Sequence, residues 1–163
     1  MKKKIVIYRN EVKATDIGAV GEIVKSTGFF NTEEVEVAMG LVEETVENGK
    51  ESGYEFIFAE VNGMVVGYTC YGRIPCTKHS YDLYWIATHQ DYQGLGIGKE
   101  LMSQTENAIK DIGGFGVYVE TSSKDQYLPT RSFYLKMDYV QKAFFEDFYD
   151  KNDGKVVYVK FLN

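Results

Sequence analysis

The chain has 163 residues, 44% hydrophobic and 26% charged, a composition that suits one soluble globular domain and, with 15% aromatics, excludes a disordered one. Its 18 basic and 24 acidic residues leave a formal charge of −6, the wrong sign for a general nucleic-acid binder. A domain of this length buries roughly 70% of its unfolded surface and needs neither a disulfide nor a structural metal to hold a core.

After Met1-Lys2-Lys3-Lys4, the run Ile5 to Arg9 predicts a first strand. Its four apolar residues are too few for a signal-peptide core. Asp16 is placed to cap a helix carrying Ile17, Val20, Ile23 and Val24 at helical spacing, broken by Gly28 and Asn31. Thr32 is placed to cap a second helix, with Glu33 and Glu34 in its first turn, where the helix dipole favours anions. The buried stripe of that helix reads Val35, Ala38, Met39, Val42 and Val46, and Asn48-Gly49 stops it. Tyr54 to Val61 and Met64 to Tyr71 flank Asn62-Gly63, a strong hairpin signal. Tyr81 to Thr88 reads as another strand.

From Gly98, helical spacing runs through Leu101, Met102, Thr105, Ala108, Ile109 and Ile112 to Gly113-Gly114. Phe115 to Thr121 reads as a strand. Pro129 suits the first turn of a helix that ends near Met137. Tyr139 to Tyr149 and Val156 to Phe161 predict a last hairpin across Asp150 to Gly154. The order β-αα-ββ-β-α-β-α-β-β implies an α/β (α+β) fold with one mixed sheet and helices on both faces.

Cys70 and Cys76 match no zinc spacing with His79 and His89, so both read as free thiols of a cytoplasmic protein that binds no metal. No run approaches the roughly 18 apolar residues of a membrane span. From Asn31 to Glu60 there are nine Glu and one base, Lys50. That is either a solvated helix face or a field that gathers a cationic substrate.

Gln93-Gly94-Leu95-Gly96-Ile97-Gly98-Lys99 follows a strand and opens a helix. Glycine permits positive φ and close approach to the main chain, and a helix start offers unpaired N–H groups and the positive end of the dipole. Together they suit a phosphate or pyrophosphate. The Walker loop fails because position 93 is Gln and position 100 is Glu. The dinucleotide loop fails because position 99 is Lys and position 101 is Leu.

The stretch Ile86-Ala87-Thr88-His89-Gln90-Asp91-Tyr92-Gln93-Gly94-Leu95-Gly96-Ile97-Gly98 resembles the acyl-CoA motif of the GNAT superfamily of N-acetyltransferases, with Gln93, Gly96 and Gly98 on its signature positions. Arg131-Ser132-Phe133-Tyr134-Leu135-Lys136-Met137-Asp138-Tyr139 resembles the family's second motif. The element order is also similar, so the resemblance covers nearly the whole chain. Three departures stand out: Gln90 for the usual Pro, Tyr127 where many members carry Asn, and Asp138 for the Gly that ends the fourth helix. Asp tolerates the left-handed conformation better than most residues.

The resemblance implies one GNAT domain over residues 1–163, with a six- to seven-stranded, largely antiparallel sheet flanked by about four helices. It implies transfer of an acetyl group from acetyl-CoA to a small-molecule or peptide amine by direct attack. Cofactor contacts would come from Ile86, Ala87 and Thr88, from Gln93, Gly94, Leu95, Gly96, Ile97, Gly98 and Lys99, and from Tyr127. A backbone N–H of the fourth strand would serve the carbonyl oxygen, and Tyr134 would be the acid for the thiolate. Neutralising an alkylammonium at pH 7 lies about 4.6 kcal/mol uphill, so a base is wanted. Asp82, Tyr84, Ile86 and Thr88 share one strand face. The candidate bases are Asp82, Tyr84 and Glu120, with Asp82 and Glu120 chief among them, and a water chain is the alternative. His89 reads as a turn residue and Trp85 as core.

Family geometry also puts the first two helices and the last hairpin around the acceptor, adding Phe29, Phe30, Phe144, Phe145, Phe148, Tyr149, Glu146, Asp147, Asp150 and Asp153. That groove suits a cationic amine. A catalytically silent acyl-CoA-binding module is the competing reading. The resemblance leaves monomer and homodimer both open.

Overall fold

The computed structural model describes residues 3–163. Seven strands, β1 (Val6–Arg9), β2 (Glu55–Val61), β3 (Met64–Arg73), β4 (Ser80–Thr88), β5 (Gly116–Ser122), β6 (Val140–Asp150) and β7 (Asp153–Phe161), pair in the order β1-β2-β3-β4-β5-β7-β6. Four α-helices accompany them: α1 (Asp16–Ser26), α2 (Thr32–Asn48), α3 (Ile97–Asp111) and α4 (Leu128–Lys136). The expected mixed sheet and element order are present. The described residues divide into two compact units, 3–72 with 85–107, and 73–84 with 108–163.

In the first unit, β1, β2 and β3 form an antiparallel ladder. The β2–β3 turn is the expected one: Asn62 and Gly63 both take positive φ (51° and 78°), which matches the right-handed twist of the strands. The core gathers Val20, Ile23 and Val24 of α1, Val35, Ala38 and Val42 of α2, and Phe56, Phe58, Tyr68 and Cys70 of the sheet. Trp85 packs against this cluster, as its strand phase predicts, with Phe30 edge-on at 5.1 Å.

The helix starts differ from the sequence reading. Asn31, not Thr32, caps α2: its side chain accepts from the Glu34 N–H, and the Glu34 carboxylate accepts from the Asn31 N–H. This capping box satisfies two otherwise unpaired donors, which Thr32 with Val35 could not do. Asp16 is no cap either. It is the first residue of α1 and is buried, and its carboxylate accepts from the Arg9 guanidinium (2.9 Å) and the Lys13 N–H (2.7 Å). In the stripe of α2, Val46 lies exposed and Thr45 is buried instead. The α2 glutamates Glu33, Glu36, Glu43, Glu44 and Glu47 are exposed, the solvated-face alternative.

In the second unit, β4 and β5 pair in parallel at Ser80, Tyr81 and Asp82, while β5–β7 and β7–β6 are antiparallel. Ile112 and Phe115, expected in the helix stripe and the strand, are exposed because both elements end short of them. The last hairpin turns more tightly than predicted, with Asp150 paired to Asp153 and Asn152 at φ 64°. Asp138 takes φ 68° after α4, as its place in the motif predicts. Cys70 and Cys76 are both free.

Candidate active site

The glycine loop belongs to the first unit. A short 3-10 turn, Gln90–Tyr92, leads into it, and the His89 ring Nδ1 accepts the Asp91 N–H. His89 is thus the turn residue its position suggests. The Gln93 side chain donates back to the Thr88 carbonyl at 3.3 Å, which closes the loop on the end of β4. Gly94 and Gly96 take φ of 79° and 80°, conformations that cost a residue with a Cβ about 1–2 kcal/mol. No atom lies within 4 Å of where a Cβ would sit on either glycine, so the space above this backbone is open.

The Gly96 carbonyl accepts the Glu100 N–H and starts α3. The N–H groups of Ile97, Gly98 and Lys99 therefore have no intrahelical acceptor. Buried Ile97 locks the helix start down: a Cβ on Gly67 would come within 3.2 Å of both Ile97 Cγ2 and Leu101 Cδ1. A rigid, open backbone cradle at a helix N-terminus is chemically suited to a diphosphate. Ile86, Ala87 and Thr88 form the end of β4 that feeds it, with Ala87 buried and Ile86 and Thr88 half-buried.

The titratable candidates belong to the second unit, and strand register sorts them. Asp82 pairs with Tyr118, Glu120 with Val157, and Lys155 with both Ser122 and Phe145. Paired residues share a face and residues two apart repeat it. Asp82, Glu120, Lys155 and Phe145 therefore lie on one face. The opposite face carries buried Tyr81, Leu83, Val117, Val119, Val156 and Tyr158. Tyr134 of α4 packs there, its ring 5.7 Å from Tyr158 and 6.0 Å from Tyr139. The register thus brings the two carboxylates together and keeps the phenol on the other side.

Burial, and secondly the Tyr158 hydroxyl, raise the Tyr134 phenol well above its ordinary value. Burial, then Glu120, also raise Asp82, with Lys155 partly opposing them. Glu120 is half-exposed and pairs with the Lys155 ammonium at 3.5 Å. Tyr149 is pushed up to about 12, by burial first and then by Glu120, Asp153 and Tyr127. Tyr127 is the residue just before α4 and makes no side-chain capping hydrogen bond.

Several residues depart from their expected places. Asp153 is buried, tied to the Ser122 hydroxyl and 3.8 Å from the Lys124 ammonium, so it braces the hairpin instead of lining an open acidic surface. Phe144 is half exposed on the opposite sheet face from Phe145, with its ring against Gly154, where a Cβ would come within 2.5 Å of it. Arg131 donates to the Ser122 and Lys124 carbonyls at 2.8 Å each, which fixes the β5–α4 connection. Nothing in the sequence separates Lys155 from Lys160, the other lysine of the last strand. Among the described residues there is no group of three or more His, Cys, Asp or Glu that could hold a metal ion, and no helix long and apolar enough to cross a membrane.

A family model described as acetyltransferase (GNAT) domain matches residues 52–141. The crystal structure of a GNAT-family protein from Desulfovibrio desulfuricans is 38% identical, with a TM-score of 0.95 over 96% of this chain and 99% of that one. The PaiA N-acetyltransferase of Thermoplasma acidophilum, solved with coenzyme A, shares the fold at 18% identity and a TM-score of 0.75, over 97% of this chain and 99% of that one. The L-amino acid N-acyltransferase MnaT of Escherichia coli (strain K12) is 28% identical over 78 residues. That match spans 46% of this chain and 45%, under half, of the curated relative.

Proposed function

This chain belongs to the GNAT acetyltransferase family, and we propose that it is an N-acetyltransferase that passes the acetyl group of acetyl-CoA directly to a primary amine, either a small cationic amine or a lysine-type protein amine. The observation that carries this reading is the cradle at Gln93–Lys99: two glycines at positive φ, open space above them, and the unpaired N–H groups of a helix start. Acetyl-CoA supplies a diphosphate that suits this cradle and a thioester that needs only proton management to react. A relative of the same fold crystallised with coenzyme A supports the assignment.

In this reading Gln93 to Lys99 hold the diphosphate by backbone N–H groups, and Gln93 keeps the loop closed through Thr88. The backbone of Ile86, Ala87 and Thr88 offers edge hydrogen bonds to the amides of the coenzyme arm and a donor for the carbonyl oxygen as it gains charge. Tyr127 borders the coenzyme. Asp82, or a water it holds, takes the amine's proton, with Glu120 as the neighbouring anion, and Tyr134 gives a proton to the departing sulfur. The nitrogen and the sulfur flank one tetrahedral carbon, so Asp82, on the other sheet face from Tyr134, works through intervening water. A reducing cytoplasm keeps Cys70 and Cys76 as thiols.

The reading is tested by calorimetric titration with acetyl-CoA, beside Gly96→Val. Wild type binds in the micromolar range, about −8 kcal/mol. The branched residue adds backbone strain of order 1–3 kcal/mol at φ 80° and fills the cradle, so its affinity falls roughly 10- to 100-fold. Equal affinity in the two proteins, or no binding by wild type at millimolar cofactor, defeats the assignment.

A pH profile tests the base. A raised Asp82 carboxyl must ionise before it can accept a proton, so kcat/KM falls on the acid side at a pH above the ordinary aspartate range. Asp82→Asn should remove that limb and lower the rate. Lys155→Met should move the limb further up, because Lys155 opposes the rise. A limb that stays in place in Asp82→Asn assigns the proton to another acceptor.

A further inference from the structure

We propose that Phe145, Phe148 and Glu120 form a subsite for a primary alkylammonium, filled in the free protein by the chain's own Lys155 and taken over by the ammonium group of the acceptor. The inference rests on the amine-acceptor reading above and deepens it. The Lys155 Nζ lies 4.0 Å from the centre of the Phe148 ring, 5.2 Å from that of Phe145, and 3.5 Å from Glu120 Oε1. Two aromatic faces and a carboxylate around one ammonium form a receptor for that group, because the ring faces are negative and the acid completes the charge.

Register explains how it is assembled. Phe145 stands directly opposite Lys155 on β6, and Glu120 is on the same face of β5. Beyond Phe145 the β6–β7 register shifts, and Asp147 takes φ 50°. The Asp147 carboxylate accepts the Asn152 N–H at 2.7 Å. This irregular stretch carries Phe148 to the ammonium.

Exposure points to exchange. The Lys155 side chain is only 16% exposed, but Phe145, Phe148 and Glu120 are each about half exposed (50%, 53% and 51%). The receptor is open to water from outside while its occupant enters from below. An ion pair half in water holds weakly. Replacing one ammonium by another conserves the local charge, and the released Lys155 regains its hydration. The ligand class follows from the occupant: a primary ammonium on an unbranched stem, as in a free alkylamine or the side chain of a peptide lysine. Asp82 responds to both Glu120 and Lys155, so a cation seated here lies within the field of the candidate base.

The probes are n-butylamine and a lysine tripeptide blocked at both ends, titrated by NMR without acetyl-CoA. In wild type, the Lys155 ε-methylene protons start upfield under the Phe148 ring and move toward the free-lysine position as butylammonium binds. Lys155→Met should bind butylammonium at least tenfold more tightly than wild type, and Lys155→Met with Phe148→Ala should lose that gain. Stronger binding of the tripeptide assigns a protein lysine as the source, and equal binding a free amine. Three results overturn the proposal: ε-methylene signals that stay put during binding, a gain that persists without Phe148 and so reflects bulk charge alone, and no binding by Lys155→Met. The wild-type NMR reading stands by itself if the variant does not fold. Binding through the receptor without acetyl transfer would keep the subsite and defeat only the enzymatic reading.

Discussion

Tyr134→Phe should lower kcat about 100-fold, the lower end of what a positioned proton donor supplies, with acetyl-CoA affinity unchanged. The phenol sits among Phe133, Tyr139 and Tyr158, whose rings lie 5.8, 6.0 and 5.7 Å away. Burial and the Tyr158 hydroxyl raise its ionisation well above the ordinary value, so it keeps its proton throughout the neutral range. A group in that state can donate but cannot serve as the base. Phe retains the ring and hence the packing, so the melting temperature should not move and the rate loss isolates the hydroxyl. Stopped-flow detection of free thiol measures the step. An unchanged kcat would return Tyr134 to a packing role and leave sulfur protonation to water.

Positions governed by local chemistry were the ones legible in the sequence. Asn62-Gly63 and Asp138 sit at positive φ because few residue types accept it, and type and place could be read together. The same holds for Gly94 and Gly96, whose positive φ makes the turns of the glycine loop readable from residue type. Helix starts were less readable because candidate caps stand side by side. Asn31 and Thr32 both qualify, and what decides between them is Glu34, three residues after Asn31. Periodicity also overran at the ends: Val46 and Ile112 keep the spacing of their stripes but lie exposed.

The features of the last hairpin were illegible for a different reason. Asp153, Phe144 and Lys155 lie in one short hairpin, and the family resemblance implies an acidic, aromatic groove for the first two. Tertiary partners reassign them. Ser122 and Lys124 bury Asp153, Gly154 takes Phe144, and Glu120 with Phe148 takes Lys155. None of these partners follows from spacing along the chain. The register of β5, β7 and β6 creates them, and the bulged stretch of β6 changes which side chains meet.

The largest expected effect on stability comes from Arg9, whose partner Asp16 sequence spacing had assigned to capping. Arg9 Nε donates to Glu60 at 2.7 Å, Nη1 donates to Asp16 at 2.9 Å, and the guanidinium lies 4.6 Å from the centre of the Phe58 ring. Its side chain is 15% exposed and that of Asp16 is 1% exposed. One residue thus joins β1, β2 and the start of α1, beside a cavity of about 590 Å³ that all three residues help to line. Arg9→Met preserves much of the stem but leaves the Asp16 carboxylate buried, with the Lys13 N–H still donating to it. Removing one partner of a buried pair costs about 3–5 kcal/mol. At about 2–4 °C per kcal/mol for a chain of this length, the melting temperature should fall by roughly 6–20 °C. Arg9→Met with Asp16→Leu should recover most of that loss, since the cost lies in the stranded charge and not in the absence of the pair. Thermal melts of the two variants decide it. A shift under about 2 °C in the single variant, less than 1 kcal/mol on the same scale, would mean that water reaches Asp16 and the pair behaves as a surface one.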